Sequence, residues 1–254
     1  MSTKALKSQL LAAVAMVLVA SVALGSSTFA WFANNNKVTA DNMSVSAKSD
    51  VSYLLIKAGT ADAASVQASK STTAEGQTST AALLPAAHET VTKISEIEAT
   101  KTGVSVNGQV KTNWYYQYAE KPEASAAAES ADKLEILNSD FNKYVLVNEF
   151  SICTAKGSNK MENLVVSSST LTTEGDKAVK VLVATDTACV ELDNTTTSSS
   201  AVLASSVTDN SVVTVKVYIY WDGANENVYT NGIDDLKNTS LSIDFSATPV
   251  SSNT

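Results

Sequence analysis

The sequence lacks arginine altogether, and this absence narrows the kinds of partner that the protein can have. All 18 basic residues of the 254-residue chain are lysines, and they stand against 26 acidic residues, so the formal net charge is -8. Nucleic-acid-binding proteins usually carry a basic patch and use Arg for bidentate contacts to phosphate and guanine. A nucleic-acid partner is therefore not expected.

Histidine is almost absent too, and this argues against the common kinds of hydrolytic site. His88 is the only histidine, whereas a zinc hydrolase usually needs two or more His or a Cys/His cluster. A Ser-His-Asp triad would have to use this same residue, and the sequence has no G-x-S-x-G motif. We interpret His88 as an exposed loop residue and expect neither a cofactor nor an enzymatic activity.

Cysteine is limited to Cys153 and Cys189, which leaves two interpretations open. Their spacing is not that of a C-x-x-C redox motif. An even number of cysteines in an exported chain permits one disulfide bond. Equally, both residues could serve as small buried hydrophobic side chains.

Metal-binding patterns are nearly as scarce, with one short stretch to consider. Asp222, Asn225 and Asn227 place oxygen atoms close together in the sequence. Calcium needs six to eight oxygen ligands at regular spacings, which this stretch does not supply. We therefore favour a solvated Asp-Gly turn and keep a calcium site as the alternative.

The N-terminal 30 residues have the pattern of an export signal. Lys4 and Lys7 precede an apolar run over 10–25, which is shorter than the ~20 residues of a spanning helix. Thr28 and Ala30 then supply the small residues that a signal peptidase accepts. We predict cleavage before Trp31; the rival interpretation is an uncleaved anchor with Trp31 at the membrane interface.

Cleavage there would leave a strongly acidic mature protein. Without Lys4 and Lys7, 16 lysines stand against 26 acidic residues and the net charge is -10. Molecules with this net charge repel one another, which keeps them soluble, and they are not expected to bind anionic lipid. The membrane would therefore be a partner only through the signal segment before cleavage.

The rest of the chain has the pattern of an all-β protein. Val213 to Trp221 alternates most clearly, with valines, Ile219 and Trp221 on one face. Asn107-Gly108 between apolar residues predicts a hairpin. Many short strands without a fixed repeat predict a jelly-roll-like two-sheet sandwich. We assign residues 1–30 to the signal, 31–48 to an N-terminal strand segment and 49–254 to one sandwich domain.

The sequence also predicts the structure of three further stretches. Gly59 to Thr80 is rich in Ala, Ser and Thr and predicts a long surface loop. Glu123 to Leu137 is rich in Ala and Glu and predicts a helical insertion. The aromatic run 114–118 is either a core strand, which we favour, or a strip that binds carbohydrate or a partner.

The segment GSSTFAWFANNNKVTADNMSVSA, residues 25–47, resembles the start of TasA/camelysin-type exported proteins of Gram-positive bacteria. The segment VYIYWDGANENVYTN, followed by LSIDFSA, resembles the closing strands of related surface proteins; the middle of the chain shows no clear match. The resemblance implies a jelly-roll sandwich and processing by a SipW-type signal peptidase. It also implies secretion to the cell surface of a Gram-positive bacterium and assembly into biofilm-matrix fibres.

In such fibres the freed N-terminal segment of one subunit pairs as a strand in the next. Strand addition needs an extended segment whose alternate side chains fill pockets. The polymerisation strand predicted here comprises Trp31, Phe32, Ala33, Val38 and Ala40. We therefore expect a structural subunit whose partners are copies of itself, joined head to tail. The alternative is a monomeric cell-surface adhesin or ligand-binding module.

Overall fold

The computed structural model describes residues 44–48, 54–78, 83–98, 100–106, 109–116, 134–173, 178–225, 228 and 239–250. All of these residues belong to one unit of the chain, 37–254. The strands, in chain order, are β1 (Ser44–Lys48), β2 (Leu54–Ala58), β3 (Thr73–Glu75), β4 (Ala86–His88), β5 (Thr100–Val106), β6 (Gln109–Tyr116), β7 (Leu134–Leu137), β8 (Val145–Thr154), β9 (Met161–Thr172), β10 (Val179–Ala184), β11 (Cys189–Leu192), β12 (Ala204–Val207), β13 (Val213–Trp221) and β14 (Ser240–Pro249). Two α-helices, α1 (Ala63–Ser69) and α2 (Ile94–Ile97), and a 3-10 helix (Asn138–Lys143) complete the described elements.

Two five-stranded sheets form the body of the described structure. The first sheet has the order β12-β9-β14-β1-β3, and the second has the order β11-β10-β13-β8-β2. Most neighbours are antiparallel, whereas β1 runs parallel to β14. The predicted all-β sandwich is confirmed, and a third sheet is present in addition to the two that were predicted.

Alternation along β13 explains how the second sheet buries two faces. Val215, Val217 and Ile219 lie on one face and are almost wholly buried. They lie on the same face as the buried Val181 and Val183 of β10, because paired residues in adjacent strands point the same way. Lys216, Tyr218 and Tyr220 lie on the opposite face by the same alternation.

A smaller third sheet covers that opposite face. It has the order β4-β6-β5, with β7 also paired to β6. Trp114 of β6 and Ile97 of α2 share a buried cluster with Tyr218 and Tyr220 of β13. The second sheet is therefore covered on both faces, and the aromatic side chains of β13 lie in a core.

The hairpin predicted at Asn107-Gly108 is confirmed, because β5 and β6 pair with Val106 opposite Gln109. The prediction of a helix over 123–137 is wrong at its C-terminal end, since Leu134–Leu137 forms β7 against β6. Residues 117–133 lie outside the described residues. Pairing with β6 overrides the helix preference of these few residues, because strand formation depends on tertiary partners.

The prediction of a long loop over 59–80 is also wrong, since it contains α1 and β3. Asp62 caps α1 by accepting a 2.7 Å hydrogen bond from the Ser65 N–H. Val66 is wholly buried and packs with Leu55 and Cys153. One apolar residue thus anchors a helix in a stretch whose composition is otherwise that of a loop.

Candidate functional site

The residues predicted to act in cleavage and polymerisation lie outside the described residues. They are Thr28, Ala30, Trp31, Phe32, Ala33, Val38 and Ala40. The first described residue after them is Ser44, where β1 begins. Their roles in cleavage and polymerisation remain predictions from the sequence.

The structure does place the end of the predicted 31–48 segment. Ser44–Lys48 forms β1, which pairs in parallel with β14 and antiparallel with β3. The Oγ atoms of Ser44 and Ser242 lie 3.2 Å apart. The first sheet therefore begins at Ser44, inside the segment set aside as the donor and before the predicted domain boundary at residue 49.

His88 is not the exposed loop residue that the sequence predicted. It ends β4, and its side chain is only 12% exposed. Its ring lies 4.9 Å from that of Trp114 and 5.4 Å from that of Tyr220, between centroids. The pairing of β4 with β6 holds it there, because His88 lies opposite Trp114 in the register.

A chain of polar contacts leads from His88 to the surface of the second sheet. His88 Nε2 lies 3.0 Å from the Tyr220 hydroxyl, which donates a 3.2 Å hydrogen bond to Glu191 Oε2. Lys180 Nζ lies 2.9 Å from Glu191 Oε1 and 3.1 Å from Asp222 Oδ2. We call His88, Tyr220, Glu191, Lys180 and Asp222 the interlayer cluster.

Electrostatics in the interlayer cluster follow from these contacts. His88 Nε2 also lies 3.5 Å from Glu191 Oε2. This contact, with further help from Lys180, lowers the pKa of Glu191 to about 2, although burial opposes this. Burial raises the pKa of Tyr220 far above its usual range. In the resting state Tyr220 is therefore a neutral donor and Glu191 is a carboxylate.

Sequence reasoning missed the interlayer cluster, although one signal was present. Tyr218 and Tyr220 both fall on the face of β13 opposite its valines. Two large aromatic side chains on the face opposite a strand's apolar core indicate that a further layer covers it. Local patterning does not say which segment supplies that layer.

A second polar network lies beside the interlayer cluster. Lys216 Nζ lies 2.8 Å and 3.0 Å from the two carboxylate oxygens of Glu98. The Tyr218 hydroxyl donates a 2.8 Å hydrogen bond to Glu98 Oε1. Because Glu98 directly follows α2, these contacts hold the helix against β13.

The candidate calcium residues are only partly placed. Asp222 Oδ1 accepts a 3.0 Å hydrogen bond from the Ala224 N–H, while its Oδ2 faces Lys180. Asn225 donates its backbone N–H to the Asp222 carbonyl at 3.0 Å, and Asn227 lies outside the described residues. Both carboxylate oxygens of Asp222 therefore already have protein partners. Within the ranges that the structure describes, no group of three His, Cys, Asp or Glu residues is arranged to hold a metal ion.

Both cysteines are free thiols, so the disulfide alternative is contradicted. Cys153 is on β8 and Cys189 on β11, and β10 and β13 separate these strands in the second sheet. Strands are ~4.8 Å apart, so the Cα atoms lie well beyond the ~7 Å limit for a disulfide. Cys153 instead packs with Leu55 and Val66, and Cys189 packs against the cluster around Trp114.

A cleft of about 450 Å³ lies at the edge of the sandwich near β2, β3 and β8. Its lining includes Glu75, Gln77, Asn148 and Glu149. The Asn148 amide donates a 3.1 Å hydrogen bond to the Gln77 carbonyl and accepts one from the Gln77 N–H. The cleft therefore has a polar wall that is held in place by side-chain contacts.

The aromatic run 114–118 is described only in part. Trp114 is wholly buried, and its Nε1–H donates a 3.1 Å hydrogen bond to the Ile97 carbonyl. Trp114 therefore lies in a core, which agrees with the favoured interpretation of this run as a core strand. In the part of the chain that the structure describes, no helix is long and apolar enough to cross a membrane.

Comparison with known proteins adds no assignment. No protein family, curated protein or solved structure matches the chain.

Proposed function

We propose that this protein is a structural subunit of an extracellular fibre, exported through its N-terminal signal and joined head to tail by strand donation. The supporting observation is the position of β1, which lies between β14 and β3 in the first sheet. The first sheet thus has a slot for a strand that comes from the N-terminal end of a chain. In the single molecule this slot holds the chain's own Ser44–Lys48.

Exchange of this strand between molecules would preserve its pairing. A neighbour's β1 in the slot makes the same contacts with β14 and β3, because the sequences are identical. Each molecule then donates one strand and receives one, which produces a heterologous contact that need not close into a ring. Because the pairing is the same, the exchange changes the pairing energy little. It depends mainly on whether the donor strand can reach the sheet of a neighbouring molecule.

The connection after β1 sets how far this strand can extend from its own molecule. Residues 49–53 join β1 to β2 and would span about 17 Å when extended, at ~3.3 Å per residue. Residues 31–40 precede β1 in the same donor segment, and they would add about 33 Å of extended chain. The side chains of that stretch can fill further pockets along the neighbouring molecule.

The edges of the two large sheets favour exchange in the slot over addition at an edge. The four described edge strands are short: β3 has three residues, β11 and β12 have four each, and β2 has five. Short edge strands are a usual defence against unspecific edge pairing. A specific fibre contact then needs a dedicated donor and acceptor.

Deletion of residues 31–40 from the purified mature protein tests the donation. Filament formation should be lost, because the deletion removes the part of the 31–48 donor segment that precedes β1 and leaves only the five residues Ser44–Lys48 to hold the neighbour. A matched control replaces Asn34, Asn35 and Asn36 by serine, which keeps the length and polarity. Filaments of the deleted protein that match the full-length form in negative-stain images would refute donation.

A disulfide trap tests whether the slot is the acceptor. The Ser44→Cys/Ser242→Cys double variant joins two side chains that are in contact across β1 and β14. Filaments oxidised after assembly should give a ladder of covalent oligomers on a non-reducing gel, whereas the single variants should not. Intrachain bonds alone would show that β1 stays in its own sheet, and the slot would then be excluded as the acceptor.

A surface adhesin or ligand-binding module is the second candidate, and the cleft beside Asn148 favours it. A polar cleft at the edge of a sandwich can hold a small ligand without assembly. Negative-stain microscopy and N-terminal sequencing separate the candidates. Filaments whose chains begin at Trp31 support the fibre, while a monodisperse monomer at high concentration supports the adhesin.

A further inference from the structure

Three charged side chains of the interlayer cluster meet on adjacent strands of the second sheet. Lys180 is on β10, Glu191 is on β11, and Asp222 directly follows β13. Lys180 Nζ lies 2.9 Å from Glu191 Oε1 and 3.1 Å from Asp222 Oδ2. We propose that Lys180 Nζ and Asp222 Cγ become joined by an intramolecular amide bond, with Glu191 relaying the proton.

Asp222 is held as an electrophile for this reaction. Its side chain is only 13% exposed, and its Oδ1 accepts a 3.0 Å hydrogen bond from the Ala224 N–H. Its own N–H donates to the Ala178 carbonyl at 2.7 Å, which fixes the backbone. The Ala224 N–H is thus placed to stabilise negative charge on Oδ1 when the nitrogen attacks.

The proton balance closes within the cluster. The Lys180 ammonium gives one proton to Glu191, and the neutral amine attacks Asp222 Cγ. Glu191 then returns this proton to Oδ2, and a second proton from the attacking nitrogen follows. The C–N bond forms, the C–Oδ2 bond breaks, and Oδ2 leaves as water. An ammonium and a carboxylate have become an amide and one water molecule, so no oxidant or co-reactant is needed.

The surroundings of Glu191 suit a relay. The Tyr220 hydroxyl donates to Glu191 Oε2, so that Oε1 is left facing Lys180. Tyr220 is 2% exposed and packs edge-on against Trp114, with ring centroids 5.0 Å apart. Tyr220 therefore closes one side of the reacting groups to water, while the side chains of Lys180 and Glu191 remain 27% and 39% exposed on the other side.

The negative charges of Glu191 and Asp222 make the reaction slow, because they favour the protonated form of Lys180. Burial lowers the pKa of Lys180, but the hydrogen bonds and charges of Glu191 and Asp222 raise it overall. The amine becomes neutral only when its proton moves to a carboxylate within the cluster. The amide should therefore accumulate after folding, over a measurable time.

The bond would join β10 to the turn that follows β13, and this turn touches the third sheet. Lys180 lies opposite Tyr220 in the β10–β13 register. Gly223, next to Asp222, donates its N–H to the Ala86 carbonyl of β4 at 2.9 Å. The amide would therefore lock the end of β13 at the place where the second and third sheets meet, and it does not depend on fibre formation.

Intact-mass measurement of the full-length protein over several days at neutral pH tests the proposal. The wild-type mass should fall by the mass of one water molecule, and fragmentation of a digest should show a branched peptide joining Lys180 to Asp222. A wild-type mass that stays at the sequence value, with a Lys180 amine that can still be acetylated after unfolding, would overturn the proposal. The wild-type result alone is decisive, so it does not depend on a variant that folds.

Two variants identify the origin of any water loss. Lys180→Arg keeps the positive charge and the ion pairs but cannot form the amide, so its mass should stay at the sequence value. Loss of water in this variant too would indicate that Asp222 cyclises onto the Gly223 nitrogen, and would contradict the proposal. Glu191→Gln should slow bond formation about a hundredfold, as expected when a positioned acid–base group is removed.

Discussion

Single residues in this protein take their roles from partners that are distant in the sequence. His88 lies within hydrogen-bond distance of the Tyr220 hydroxyl, 132 positions away. The residues around it in the sequence, Pro85 to Glu89, are of types that are common in surface loops. The loop interpretation failed because the sequence does not show that β4 pairs with β6 and packs on β13.

Trp114 carries much of the contact between the third sheet and the second. Trp114→Ala should lower the free energy of unfolding by about 3–5 kcal/mol, because it leaves a large cavity and removes the donor to the Ile97 carbonyl. Urea denaturation measures the change. Val202→Ala, at a side chain that is 38% exposed, is the control and should change it by less than about 0.5 kcal/mol. Equal stabilities for both variants would contradict this packing.

The two thiols should be present but unreactive in the folded protein. Burial raises the pKa of Cys153 to about 11 and that of Cys189 to about 12. The thiolate is the reactive form, and at pH 8 only about one Cys153 side chain in a thousand is ionised. Iodoacetamide should modify both residues in urea without a reductant, and the native protein at least tenfold more slowly. A protein that takes up none in urea would have a disulfide after all.

Among the elements, strands with clear alternation were predictable and helices were not. The pattern of Val213 to Trp221 predicts β13, and Asn107-Gly108 predicts the β5–β6 hairpin; both are confirmed. These signals are local, since alternation and turn chemistry act over a few residues. Helix α1 was missed because its seven residues bury only Val66, so the period of an amphipathic helix is not visible.

The cap of α1 offers a test of how this short helix is held. Asp62→Ala should lower the free energy of unfolding by about 1 kcal/mol, because the Ser65 N–H loses its acceptor. Asp62→Asn keeps an acceptor oxygen and should cost much less. Urea denaturation and amide exchange at Ser65 measure both effects. The prediction fails if the two variants are equally stable.

On the scale of the whole molecule, charge should govern how subunits approach one another. From residue 31 onward the chain has 16 lysines and 26 acidic residues, so proposed fibre subunits repel one another. Screening shortens this repulsion from about 30 Å at 0.01 M salt to about 8 Å at 0.15 M. The lag before filaments form should therefore shorten as salt rises, as followed by light scattering. A lag that lengthens with salt would indicate attraction between opposite charges instead.

The layered arrangement also determines where strand donation and the amide bond would act. The slot of β1 lies in the first sheet, and the Lys180–Asp222 pair lies in the second. The two proposals thus concern different sheets and fail separately. Loss of filaments by deletion of residues 31–40 says nothing about the amide, and an unchanged mass says nothing about donation.

The sequence by itself determined that the protein is an acidic, β-rich chain with an export-like N-terminus, because composition, alternation and turn residues are local properties. Only the tertiary structure decided that His88 is enclosed, that Cys153 and Cys189 stand apart, and that Lys180, Glu191 and Asp222 meet. Each of these outcomes depends on which strands become neighbours, and long-range pairing is set by packing over the whole chain. The residues with the most interesting chemistry here are therefore those whose partners come from elsewhere in the fold.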